Sequence, residues 1–458
     1  MLATMSRFSL VLMLGLVACG HAKHSVALYE AGDYAGASHA ADDGLAKHPD
    51  DGGLWAMKVR ASLALGDADG VAKAYASLVE HTGADDKELL RDLATATLGQ
   101  ALGSPSVKLK IAAIDAIEDL ELQALADQVF EQMDTEDDRV AAAASIAVLH
   151  GYPQAPEIAG QMLHSENAEA RRIAVEGIGK KIGKIAVGEL EKAASDSDAR
   201  VRRAAIYWLG SVKDPDAVEL CTRHLKDPDE SVRAASASAL AKIGLGNLDE
   251  LGKRALADKA LGVRLAGIEL LAAAKRDDEL AALAADSDPM VAITAAVAVA
   301  KTHPGIAGPA LDRAAASGEW TIRAGSANLA VAAVGREAGL AYAKRLIADP
   351  ELRVRLAAAR VLAHAGDAAS ARTLFTAALD TPEGIQAAAD LAALGDPTGL
   401  AALAAAVRDL KRTPDARAEA AAAHRTAHHI TPGLVAALAD PNGIVRVQAA
   451  ATLGALAR

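Results

Sequence analysis

The sequence predicts an all-α fold: an α-solenoid of stacked helical hairpins, with a short helical part in front of it. Three observations predict it. A motif returns over most of the chain with a period of about 31 residues, within the range of helical repeat arrays. Apolar residues make up 52% of the sequence while aromatic ones make up only 3%, so Ala, Leu and Val must build the core. The 458 residues correspond, at about 150 residues per domain, to about three domains or to one long repetitive array. A half-apolar chain is not a disordered one. Two cysteines exclude a disulfide framework and a four-cysteine zinc site. The net charge of −12 and the scarcity of aromatics argue against a nucleic-acid partner, which needs a basic footprint and stacking platforms.

The first element, residues 1–18, reads as a targeting segment. Arg7 is its only charge, and Phe8 to Val17 is a ten-residue apolar run. That run is shorter than the roughly 20 residues a membrane span needs and suits a signal-peptide core. It ends in Leu16-Val17-Ala18-Cys19-Gly20. These residues resemble the lipobox of bacterial lipoproteins. The resemblance implies cleavage before Cys19, a thioether to diacylglycerol on its sulfur and acylation of the new amine. Several acyl chains, at about 0.8 kcal/mol per buried methylene, make a durable anchor. The plain alternative is an ordinary signal peptide with a chance cysteine, which Leu16, at position −3 from a cut after Ala18, fits poorly. Gly20, where Asp would imply inner-membrane retention, points to the outer membrane facing the periplasm. Residues 19–26 then serve as a linker, and Cys221 remains as a structural, buried thiol.

Residues 27–101 come next as a helical head. Gly32 and Gly66 stand one period apart, as do Ala41 and Tyr75, and that period is about 34 residues. Each glycine opens a Gly-Asp turn, and Trp55 and Tyr75 are large packing residues. The period and these residues resemble tetratricopeptide repeats. The match covers under two repeats and departs at Lys58-Val59 and at Gly83. A further helix near 86–101, with Leu89, Leu90 and Leu93, is placed to close the stack.

Residues 104–458 hold the repeated motif. Its first apolar residue is Leu109, Val140, Ala170, Val201, Val232, Val263, Val291, Ile322, Val354, Ile385, Ala416 and Val445. The mean interval is roughly 30.5 residues, a helix-pair period. Apolar residues follow each anchor at +4, +7, +8 and +11, one face of a helix. The Asp of Asp227-Pro228, Asp349-Pro350 or Asp440-Pro441 reads as the N-cap with Pro in the first helical position. Glycine ends this helix in several copies, and a second apolar helix follows. The period and motif resemble HEAT repeats of the short type named after phycobilisome lyases. Ordering one such copy, about 31 residues at about 1.5 kcal/mol each, costs about 45 kcal/mol, which takes roughly 1,800 Å² of apolar burial to offset. One helix pair cannot bury that much, so each must lean on the next.

Arg202, Arg233, Arg264, Arg323, Arg355 and Arg446 recur just after the anchors. Their regular spacing predicts a ladder of Arg–Asp contacts between hairpins, drawn from Asp198, Asp229 or Asp349, rather than an anion-binding stripe. Signatures of catalysis do not appear. The HEAT-repeat deoxyhypusine hydroxylases build a di-iron site from His-Glu dipeptides, and none of the 13 histidines here precedes a glutamate. No phosphate loop, zincin motif or nucleophile elbow is present. His424 and His428 share a helical spacing suited to a metal, but His424 stands at +8, a core position in other copies, and His428 where the helix ends. Trp208, at +7, reads as core.

These readings lead to a non-catalytic, protein-binding scaffold on a lipid anchor in the bacterial cell envelope, with no cofactor and no metal. An enzyme related to the phycobilisome-lyase type, a lyase or an oxidoreductase, is the alternative. Trp320 precedes its anchor and reads as an exposed contact residue. Val447, Ala450, Leu453 and Leu456 have no following helix to cover them, so the last helix either packs backwards only or offers Leu453 and Leu456 as a docking surface.

Overall fold

The computed structural model describes residues 20–458. Cys19 and the lipobox residues Leu16, Val17 and Ala18 lie outside the described residues. Within them every regular element is helical and no strand occurs.

The head is built from α1 (Gly20–Glu30), α2 (Tyr34–Leu45), α3 (Gly52–Ala64), α4 (Ala68–Thr82) and α5 (Lys87–Leu102). Its period is visible in the caps. Asp33 accepts from Gly36 N–H before α2, and Asp67 accepts from Gly70 N–H before α4. Each of these turns passes through a glycine with φ of +82° (Gly32) or +70° (Gly66), where a side chain would be strained. α1 through α4 pack in succession, and Ala37, Ala41, Leu54, Val59, Val71 and Tyr75 are fully buried between them. The Tyr75 hydroxyl is bound to the Asp85 carboxylate, and the Trp55 indole N–H donates to Pro49 O at 2.7 Å.

All twelve anchors fall at the second or third residue of a helix. Val232, for example, is the third residue of Glu230–Ile243, and Val445 is the third of Gly443–Leu456. From Val107–Leu120 to Leu352–His364, each first helix packs on the first helix of the next repeat. The shorter second helices, such as Ala217–His224 and Leu248–Leu256, lean against them. The seam between first helices is lined by small residues. A Cβ on Gly210 would sit 2.6 Å from the Cα of Ala239, so only glycine allows this approach. Trp208, half-buried, packs against Gly179 one repeat earlier.

The capping expectation needs a correction of two positions. Asp229, not Asp227, caps its helix by accepting from Ser231 N–H, and Glu351 and Asn442 occupy the same position in the other two Asp-Pro copies. Pro228, Pro350 and Pro441 therefore precede the cap instead of starting the helix. The reason is that Asp227, Asp349 and Asp440 are held elsewhere, as described below. Asp288-Pro289 alone among the Asp-Pro pairs before the first helices follows the expected pattern, with Asp288 accepting from Met290 N–H and Pro289 first in the helix.

The described chain divides into two compact units, and they do not follow the division into head and array. One holds residues up to 97 together with 404–424 and 429–458; the other holds 98–403 and 425–428. In the first unit α4 packs against Pro432–Ala436 and the 3-10 turn Ala437–Ala439. Leu453 is fully buried there and Leu456 is half-buried. The part of the array that α4 covers is the second helix of the copy anchored at Ala416. Leu453 is thus a core residue and not a surface contact.

Two expected outcomes follow. Gly210→Ala forces two first helices apart and costs about 1–3 kcal/mol of unfolding free energy in denaturant titration, as overpacked seams do. Removal of residues 432–458 uncovers α4, so amide exchange in 71–78 rises well above that of the intact chain. Unchanged protection would show that the head is stable without its cover.

Candidate interaction surface

The arginines after the anchors form one recurring site. The Arg233 guanidinium points its Nε and Nη2 fork at Asp258, at 2.7 and 2.9 Å, and its Nη1 donates to the carbonyls of Asp227 and Pro228, at 2.9 and 3.2 Å. One side chain thus ties the loop before its own helix to the loop before the next. Asp258 in turn accepts from Ala260 N–H at 2.8 Å, which fixes the loop that receives it. The same pattern joins Arg171 to Asp196, Arg202 to Asp227 and Arg323 to Asp349, and Arg264 meets Asp288. Arg417 and Asp440 repeat it in the unit that contains the head, with both side chains at or below 5% exposure. The pairing is charge-assisted and bidentate, the strong form of the interaction. The Arg233 hydrogen bonds hold the Asp258 carboxyl below the usual range despite burial.

The ladder is therefore present, with a change of partners. Asp349 pairs as the sequence suggests, but Asp198 and Asp229 are N-caps; the rungs go to Asp196 and Asp227, two positions earlier. Sequence reasoning missed Arg171 and Arg417, although each follows its anchor like the others. The signal was available as a spacing: Arg and Asp stand 25 positions apart in three rungs. Arg355 and Arg446 make only the carbonyl half of the pattern, to Asp349 and Pro350 and to Asp440 and Pro441.

His424 is a core histidine. It is fully buried; its Nδ1–H donates to Ala420 O at 2.8 Å and its Nε2 accepts from the Thr431 hydroxyl at 2.9 Å. Thr431 in turn accepts from Leu434 N–H at 3.1 Å and caps the helix Pro432–Ala436. Burial pushes the His424 pKa down. His428 follows the helix end at φ 49°. Among the described residues no three His, Cys, Asp or Glu side chains gather as a metal site would require. Cys221 is buried, and that burial pushes its thiol up to about 12.

Trp320 is 37% exposed, and the Arg353 guanidinium lies over its ring at 4.9 Å while also bonding Glu383 at 2.8 Å. Trp320 is the first residue of its helix. The same position holds Leu261, Pro289 and Leu352 in three other first helices of that half of the array. Four successive repeats thus set an apolar residue at one register, and Leu261 is likewise 37% exposed. Sequence reasoning found Trp320 and missed the row, which only appears once every anchor is placed at the same helical turn. Near the loop 300–308 a cavity of about 470 Å³ opens, lined mainly by small residues such as Ala300, Gly305, Ala333 and Gly335, with Lys301 as its charge. No helix among the described residues is long and apolar enough to cross a membrane.

The model of HEAT repeats matches residues 155–241 and 187–272, the stretch in which the ladder is unbroken. No curated protein matches the chain. Among solved structures, the karyopherin Kap121p is 16% identical over 85% of this chain and 48% of its own, with a TM-score of 0.38. The chain thus spans about half the length of that protein. CpcE and CpcF of phycocyanin lyase from Nostoc sp. are 20% identical over 65% of this chain and 94% of theirs, at 0.24. Human deoxyhypusine hydroxylase is 18% identical over 66% and 95%, at 0.27.

The ladder and the buried histidine each give a measurable outcome. Arg233→Ala leaves the Asp258 carboxylate and two carbonyls without their donor, a loss of about 3 kcal/mol in denaturant unfolding. Arg200→Ala, at an exposed side chain whose nearest partner is Asp198 in its own turn, leaves the midpoint near that of the parent chain. Because burial lowers the His424 pKa in the folded state, the unfolded chain binds more protons as pH falls through about 6.5. Thermal stability therefore declines from pH 7 to pH 5, and His424→Leu removes that part of the decline. Equal slopes in the two chains would show that His424 does not contribute.

Proposed function

We propose that this chain is a non-catalytic scaffold that binds a protein partner along the edge of its repeat array, while a lipid on Cys19 holds it in the bacterial envelope, at the outer membrane facing the periplasm. The observation that carries the binding part is the apolar row Leu261, Pro289, Trp320 and Leu352 on a braced support. Rungs at Arg233, Arg264 and Arg323 hold these helix starts, so the row loses little freedom when a partner covers it. Trp320 is the natural anchor: it is large, amphipathic and already oriented by Arg353. The anchor part is supported by the residues of the N-terminal segment alone, Leu16-Val17-Ala18-Cys19 after a ten-residue apolar run.

The two parts have separate tests. Intact mass of the chain from membranes is expected to begin at Cys19 and carry acyl groups, and Cys19→Ser is expected to abolish both the cut and the added mass. An unmodified chain cut elsewhere would overturn the lipid anchor. For binding, Trp320→Ala is expected to reduce recovery of the protein partner captured from detergent-solubilised envelopes at least tenfold without changing the melting curve. Equal recovery would move the binding site away from this edge.

A further inference from the structure

The copy anchored at Val291 departs from its neighbours in three ways. Its first helix, Pro289–Ala298, has 10 residues, whereas Leu261–Ala273 before it has 13 and Trp320–Val334 after it has 15. The connection to its second helix, Ala307–Ala315, takes residues 299–306, while in the next copy Gly335 alone joins Trp320–Val334 to Arg336–Leu346. Ala292 stands where other copies carry the rung arginine. A first helix that stops about one turn early leaves the last turn of its neighbour without a packing partner. The cavity of about 470 Å³ opens at that place, between the loop 300–308 and residues 332–335. Its size is that of a small-molecule site.

The lining decides which ligand fits. Glycine keeps the walls open: a Cβ on Gly305, Gly308 or Gly335 would meet no atom within 4 Å. The other side chains of the lining, apart from one lysine, are Ala, Pro and Val. No ring is there to stack a base, and no hydroxyl or amide side chain to hold a sugar. The lysine is Lys301, exposed and without an ion pair among the described residues, whereas His303 beside it is bound to Asp278 and Thr302. The Gly308 N–H, in the first turn of Ala307–Ala315, has no acceptor among the described residues. One cation and one N–H suit a singly charged anion, and no carboxylate lines the cavity to repel it. In a chain of net charge −12 a lone lysine attracts anions weakly, so apolar burial has to supply most of the affinity. We propose that this cavity binds a small carboxylate with an aliphatic body, of the medium-chain fatty-acid class. Its chain lies against Ala333 and Val334, and its carboxylate meets Lys301 and the Gly308 N–H. The proposal does not rest on the lipid anchor or on the Trp320 edge.

The test titrates decanoate, below its micelle range and without detergent, into the full chain carrying Cys19→Ser, with calorimetry as the readout. One saturable site is expected, together with slower amide exchange in 300–308 and 332–335. Gly308→Phe puts a ring into open space and is expected to weaken decanoate binding about tenfold with an unchanged melting curve. Lys301→Met, at an exposed position, is expected to weaken decanoate while leaving decanol as it was. No saturable site, or equal decanoate affinity in both variants and the parent chain, would overturn the proposal. Decanol bound as tightly as decanoate by the parent chain would overturn the role of the carboxylate. Acetate displacing decanoate at equal concentration would overturn the role of the aliphatic body.

Discussion

A single helical hairpin of this array has one apolar stripe too many, and the way the chain closes that stripe governs the rest of its structure. The first helices meet along a seam of alanine and glycine so close that Gly210 admits no side chain against Ala239. Close approach gives many weak dispersion contacts without large side chains, which is how a core with 3% aromatics can hold. It also removes the bulky knobs that would otherwise fix the register between helices. The guanidinium forks supply that register. Each fixes the distance between two successive loops through several hydrogen bonds at once, so the seam cannot slide.

That arrangement explains why the Asp-Pro motif is placed where it is. The aspartate stands two positions before the cap because its two oxygens are already engaged: one fork from the preceding repeat and one N–H from its own loop, as in Asp227 with Arg202 and Asp229. A second residue, Asp229, Glu351 or Asn442, then caps the helix. Proline between them donates no hydrogen bond and keeps the loop extended. Where the arginine after the anchor is missing, as at Ala292, no such rung leads to the next repeat. The interval that ends at this anchor, from Val263 to Val291, is also the shortest in the array.

Near residue 432 the array gains a neighbour from far away in the sequence, α4 of the head. The charge-free stretch 432–439 is buried between α4 and the last helix, and the buried residues 449–454 complete a core shared by sequence segments hundreds of positions apart.

The sequence by itself determined the hairpins. The positions of all twelve anchors, the Gly-Asp turns of the head, the core placement of His424 and the existence of an Arg–Asp ladder follow from local periodicity and from chemistry repeated at fixed spacing. Those are short-range facts, and twelve copies average out the noise of any one. The tertiary structure decided which aspartate each arginine takes, because two acids per loop lie within reach and only loop geometry separates a cap from a rung. It also decided the burial of Leu453 and the cover that α4 places over residues 432–439. Whether a face stays wet depends on what arrives from far away in the chain, and no local pattern encodes that arrival; only the absence of charge in 432–439 hinted that something would come.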